Sequence, residues 1–217
     1  MKFSKVDPSI VEDIQVNAGV VLRTFDPANP TEPIDSDIIA ATTGGITANC
    51  VPTYSDYGSD IDNVPNNALE LKRIDSYDCN MSFTILNMTP DTVRLALGAA
   101  DVSGNKITPR STINPEDFEN IWFVGDLSDG GCIAILLKNA LSTSGFALKT
   151  TKNGKGNTSV TLTGHISIAD PEDIPMEFYI IKGSDMPSDE PNEPDEPDNP
   201  DDPTEDPDGT EEGTDGT

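Results

Sequence analysis

The chain has 217 residues, with 39 acidic side chains against 13 basic ones, a net charge of −26 and 35% hydrophobic residues. So acidic a balance argues against ordinary binding to nucleic-acid phosphates, which needs clustered Lys and Arg. It does not exclude a protein that works beside DNA without sticking to it. No run of about 18 apolar residues occurs, so no helical membrane span is expected.

Met1-Lys2-Phe3-Ser4-Lys5 leads into Asp7-Pro8 with no apolar stretch behind it, and no secretory signal is expected. Strand candidates follow at Gly19–Phe25, Ile38–Thr42 and Ile46–Thr53, separated by the turn formers Asp26-Pro27 and Gly44-Gly45. Ser55–Asn67 (SDYGSDIDNVPNN) then reads as a long acidic loop. Loops of that length inside a compact domain are usually functional, often as contacts with partners. Asp56, Asp60 and Asp62 resemble a calcium loop, but the sixth position is Ile61 rather than Gly and the twelfth is Asn67 rather than Glu. No metal is expected there.

Tyr77–Ile85 is the clearest strand, with Tyr77, Cys79, Met81, Phe83 and Ile85 alternating with polar residues. A short helix follows: Thr89 suits the N-cap, Pro90 the first helical position and Asp91 the positive helix end. Val93, Ala96, Leu97 and Ala100 fall at helical spacing, and Gly98 can end the helix. Ala99–Pro115 is a second long loop. Phe118–Val124 and Cys132–Lys138 are apolar runs joined by Asp129-Gly130-Gly131, which predicts a hairpin connection. Gly154-Lys155-Gly156 is a basic turn without the strand–loop–helix setting of a phosphate cradle. In Ser159–Ile168 the apolar face carries Val160, Leu162, Ile166 and Ile168, with Gly164 predicting a bend or a close backbone approach. Met176–Lys182 is the last strand candidate.

Ser184–Thr217 holds 15 of the acidic residues, seven Pro, no Lys or Arg, and Met186 as its only sizeable apolar side chain. Such a segment cannot offset the entropy of ordering it and is expected to be disordered. The expected division is therefore a β domain over residues 1–183 and a disordered acidic Pro-rich tail over 184–217. The domain keeps 24 acidic residues against all 13 basic ones, a net charge of −11. Many short strands and one short helix predict a β-sandwich or partly open β-barrel with a flanking helix.

Chemistry is sparse. Cys50, Cys79 and Cys132 are widely spaced, with no C-x-x-C and no nearby His, so three half-buried thiols in a reducing compartment are expected. His165 lies on the polar face of a strand. No catalytic motif, cofactor fingerprint or metal-ligand spacing occurs. The expectation is a structural or binding protein rather than an enzyme.

Several segments in order resemble the major tail proteins that build the tail tube of long-tailed bacteriophages of Gram-positive hosts. They are Asn17-Ala18-Gly19-Val20-Val21-Leu22, Ala40-Ala41-Thr42-Thr43-Gly44-Gly45-Ile46, the stretch from Asp56 to Pro65, and Glu70-Leu71-Lys72. Ile107-Thr108-Pro109-Arg110, the stretch from Asp117 to Asp126, Asn139 to Phe146, Gly154-Lys155-Gly156 and Leu162-Thr163-Gly164-His165 continue the series. The acidic tail has no counterpart in that pattern. The resemblance implies a homohexameric ring that stacks into a hollow tube around a tape-measure protein and is closed by tail terminator and tip proteins. It implies assembly in the host bacterial cytoplasm, residence in the virion tail, and DNA that passes through without specific binding.

Six domains at −11 would give a ring of about −66, a charge that repels phosphates where it lines a channel. On this expectation the acidic loop, with Asp56, Tyr57, Gly58, Asp60, Asp62 and Pro65, contacts the next ring. The tail projects outward and keeps tubes apart. Two other readings compete. One is an acidic DNA mimic that occupies a DNA-binding protein. The other is a β-sandwich that binds carbohydrate through Trp122, Tyr54, Tyr57 and Tyr77.

Overall fold

A computed structural model describes residues 7–187. Residues 188–217, which carry most of the stretch expected to be disordered, lie outside the described residues. Among the described residues ten strands occur in order: β1 (Gln15–Leu22), β2 (Thr42–Asp56), β3 (Lys72–Ile85), β4 (Ala100–Ser103), β5 (Lys106–Pro109), β6 (Glu119–Leu127), β7 (Cys132–Ser142), β8 (Leu148–Lys149), β9 (Asn157–Thr163) and β10 (Met176–Ile181). The α-helix of the described residues, α1 (Pro90–Leu97), lies between β3 and β4. The fold is a β-sandwich with one flanking short helix, and it is not a closed barrel.

One sheet runs β1-β6-β7-β10 and the other β2-β3-β9, all antiparallel, with β8 on β9. β7 belongs to both: Cys132–Leu137 pairs with β10, while Leu141 and Ser142 pair with β9. This strand turns the corner of the sandwich. The alternation in β3 explains its role, since Cys79, Met81, Phe83 and Ile85 are buried while the residues between them are not. They meet Val160 and Leu162 of β9 and, across the core, Val21, Ile121, Phe123, Ile135 and Leu137. Each such fully buried side chain contributes about 1.5–3 kcal/mol relative to exposure.

β6 and β7 do not alternate because the first sheet is covered on both faces. Its second face holds Leu22, Trp122, Val124, Cys132, Ala134 and Leu136, packed under Phe25, Tyr179, Ile181 and Met186. Met186 is thus part of the compact unit, which runs through Pro187 rather than stopping at Gly183. A 3-10 turn over Gly183–Asp185 carries the chain there. Asp129 fastens it, accepting from the N–H groups of Gly131 (2.8 Å) and Gly183 (3.1 Å).

The helix has the predicted ends. Thr89 Oγ1 accepts from the Thr92 N–H (3.2 Å), Thr92 Oγ1 accepts from the Thr89 N–H (2.9 Å), and Gly98 caps the other end at φ +80°. Its buried face is Thr92, Leu95 and Ala96 rather than the expected Val93, Ala96 and Leu97. Thr92 can be buried because its hydroxyl is satisfied by the cap and by donating to the Asn87 carbonyl (3.1 Å). Ala100 opens β4 instead of extending the helix.

Four other expectations change. Gly44 and Gly45 do not end a strand; both have φ near +80° and form a bulge inside β2, where the register with β3 shifts. Ile38–Thr42 is not a strand, as Ile38 makes one isolated bridge to Leu22 and β2 begins at Thr42. The expected loop Ala99–Pro115 contains the β4–β5 hairpin, turned at Gly104-Asn105. Finally, β9 ends at Thr163, leaving Ile166 and Ile168 exposed (44% and 98%). Gly164 marks that end: a Cβ there would lie 2.8 Å from Leu137 Cδ1 and 2.9 Å from Pro175 Cβ, the close approach its position predicts.

Candidate functional site

The candidate loop sits at the end of an arm. β3 pairs with β9 only from Asn80 to Ile85, and with β2 over its whole length. Beyond Cys50 and Cys79 the β2–β3 hairpin therefore leaves the sandwich. Six residues of β2 continue to Asp56, a reach of about 20 Å at strand rise. Tyr77 still packs on the core, but beyond it burial fails, and no second layer among the described residues covers the stretch. Val51, Tyr54 and Ile74 are exposed on its strands. Tyr57, Ile61 and Leu69 are exposed at its tip, Leu69 at 85%.

The tip is a built structure. Ser55 and Asp56 are the last residues of β2, and Asp56 is directly opposite Lys72. Asp56 Oδ1 accepts from the Gly58 N–H (2.9 Å) and Oδ2 from the Asn67 N–H (3.0 Å), so one carboxylate ties the two ends of the loop. These two bonds, with Lys72 nearby, hold its carboxyl below the usual 3.8. Gly58 is buried, and a Cβ there would lie 2.9 Å from Leu71 Cδ1. Tyr57 donates its N–H to the Leu71 carbonyl (3.1 Å). Asn63 and Asn67 take left-handed φ values of 65° and 60°. Asp60, Asp62 and Pro65 face solvent.

Lys72 lies over the Tyr54 ring (5.5 Å) and Arg73 over the Tyr57 ring (5.9 Å). These are the arm's two cations, against carboxylates at Asp56, Asp60, Asp62, Glu70, Asp75 and Asp78. The arm thus presents separated apolar and aromatic side chains in an acidic setting. No group of three or more His, Cys, Asp or Glu suited to a metal ion occurs among the described residues.

The other sequence candidates lie elsewhere. Trp122 is buried under Phe25 and Tyr179, at ring distances of 5.6 and 5.7 Å, and is closed to a sugar ring. Trp122, Tyr54, Tyr57 and Tyr77 therefore form no common platform. His165 follows β9; its Nδ1 contacts the Asn139 carbonyl (3.1 Å) and its ring meets Phe118 edge-on at 5.2 Å. It borders an open groove of about 610 Å³ with Ile113, Ile166 and Ile168. Gly154-Lys155-Gly156 is the β8–β9 turn.

Sequence reasoning singled out Tyr54 and Tyr57 but gave no role to the exposed Val51, Leu69 and Ile74 of the arm. Leu69 and Ile74 lie between the expected loop and the expected strand at Tyr77–Ile85, and their exposure follows from β3 pairing with β9 only from Asn80. No protein-family model matches the chain, and no curated protein matches it.

Proposed function

We propose that this chain is a tail tube protein of a long-tailed phage, which assembles into stacked six-membered rings through which DNA passes. The observation that carries this reading is the arm. It is a two-stranded extension, closed at its tip, that exposes Val51, Tyr54, Tyr57, Ile61, Leu69 and Ile74 among the described residues. Surfaces of that kind mark protein–protein contact. The ordered tip makes the arm suited to a rigid contact with a neighbouring ring.

A second feature supports self-assembly. β10 is an edge strand bearing exposed Phe178 and Ile180. An open edge with apolar side chains is a template for strand addition. Joining subunits side by side through such edges gives a ring, and the arms then join rings. The domain's charge of −11 favours a lumen that does not hold DNA. On this reading the tape-measure protein and the terminator and tip proteins are the partners, and the chain catalyses nothing.

Negative-stain electron microscopy of the purified chain at rising concentration tests the proposal. Hollow tubes or six-fold rings are expected. Because Asp56 and Lys72 are register partners, residues 57–71 can be replaced by Asn-Gly, which closes the hairpin directly. That variant should fold and form no tubes. Tubes from it, or a wild-type chain that stays monomeric at every concentration, would overturn the assignment.

A further inference from the structure

Sequence spacing leaves the three cysteines as separate thiols, but the fold brings two of them together. The β2–β3 register sets Cys50 directly opposite Cys79, with their Sγ atoms 2.8 Å apart. Directly opposed residues of antiparallel strands have Cα atoms about 4.5–5.5 Å apart, inside the span that a disulfide bridges. A shared soft metal fits less well. Bonds of about 2.3 Å at a tetrahedral angle would hold the sulfurs about 3.8 Å apart.

We propose that Cys50 and Cys79 are a redox pair that a peroxide oxidises to an intramolecular cross-strand disulfide, pinning the arm where it leaves the sandwich. The two thiols are not equivalent. Cys79 is 1% exposed, and burial, with the hydrogen bond to Cys50, pushes its thiol up to about 12. Cys50 is half-buried and is the sulfur a dissolved oxidant reaches. Its Sγ attacks one peroxide oxygen, the O–O bond breaks and one water leaves, giving a sulfenic acid at Cys50. Cys79 Sγ then attacks the Cys50 sulfur. The S–O bond breaks and a second water leaves, taking up the Cys79 thiol proton. Two thiols are oxidised and one peroxide is reduced.

Cys132 cannot take either place. It is buried on the other face of the first sheet, among Trp122 and Leu136. Oxidation at Cys50 and Cys79 also requires no assembly, so it is tested on the soluble subunit whatever the chain builds.

The full chain, reduced and desalted, is treated with hydrogen peroxide. Its thiols are then counted in denaturant, and a tryptic digest is mapped without reductant. Trypsin cuts after Lys72 and Arg73, so the disulfide joins peptide 24–72 to a peptide ending at Arg94. The expected result is loss of two of the three thiols and appearance of that linked pair, both reversed by dithiothreitol. Cys50→Ser, at the half-buried position, should keep the wild-type circular dichroism and both remaining thiols, with no linked pair. Three persisting thiols, over-oxidation of Cys50 without a link, a link through Cys132, or disulfide-bonded dimers would each overturn the proposal.

Discussion

If the chain assembles as proposed, Leu69→Ser should separate assembly from folding. Leu69 is 85% exposed, in a 3-10 turn with no buried residue, so the subunit loses almost nothing when it is truncated. A surface change of this kind stays within about 0.5 kcal/mol, a shift in Tm of at most about 2 °C for a domain of this size. In a tube whose neighbouring ring covers the arm, the exposed share of Leu69 is what becomes buried. Burying a whole Leu is worth about 1.5–3 kcal/mol, so 85% of it is worth about 1.3–2.6 kcal/mol per subunit. That raises the critical concentration for assembly by about 10- to 70-fold. Sedimentation of tubes against total concentration reads the shift, and thermal melting of the unassembled subunit supplies the control. An unchanged critical concentration with an unchanged Tm would show that Leu69 meets nothing in the assembly, and the arm would lose its assigned role.

Gly164→Ala should destabilise the subunit by about 1–3 kcal/mol and lower Tm by about 2–12 °C, because the new Cβ meets the rigid Pro175 ring as well as Leu137. An unchanged melting curve would mean that β9 and the segment before β10 part easily. Stability should fall in acid. Backbone N–H groups of Gly131 and Gly183 hold the Asp129 carboxyl below its usual 3.8, and Lys138 holds Glu177 below 4.5. Both contributions are complete above those ordinary values and are lost as pH falls through the lowered ones. Lys138 is raised above 10.5 by Asp173 and Glu177, so its share is present below that value and is lost only at higher pH. Melting against pH should therefore be level, as far as these groups decide it, between about pH 5 and pH 10. Asp129→Asn should blunt the fall below it; an identical acid limb in that variant would refute the assignment.

What the sequence made legible was what depends on nearest neighbours along the chain. Thr89, Pro90 and Gly98 bounded the helix because caps are local, and the alternation from Tyr77 to Ile85 named a core face because the strand period is local. The β6–β7 hairpin followed from Asp129-Gly130-Gly131 in the same way. What failed depended on where a strand's partner begins and ends. Ile166 and Ile168 continue the period of Val160 and Leu162, yet β9 stops at Thr163 where Gly164 passes beside Pro175. Gly44-Gly45 looks like punctuation, but a bulge absorbs both residues and lets β2 run on. The candidate loop was legible as a loop. The arm beneath it was not, since nothing in the composition of Val51 to Asp56 says that the second sheet has ended. Cys50 and Cys79 stood on two expected strands, and only the register across a long connection made them a pair.

Open sheet edges invite indiscriminate association, and the described edges are treated unequally. The outer side of β1 is closed near its end, where Arg23 donates its N–H to the Asp37 carbonyl and Ile39 donates to that of Val21, each at 2.9 Å. β2 carries Pro52, which has no N–H to offer a further strand. β10 has neither device, and it exposes Phe178 and Ile180. Of these three edges β10 alone is left open, which supports the proposed use of that edge. In the proposed assembly charge would set the terms of use, because every copy would bring the same acidic excess to the contact and the arm's two cations already lie over tyrosines. Repulsion among like subunits would then defeat loose encounters and leave those in which an edge and an arm both find their places. A ring that closes and stacks satisfies that condition at every subunit, whereas a disordered aggregate satisfies it at few.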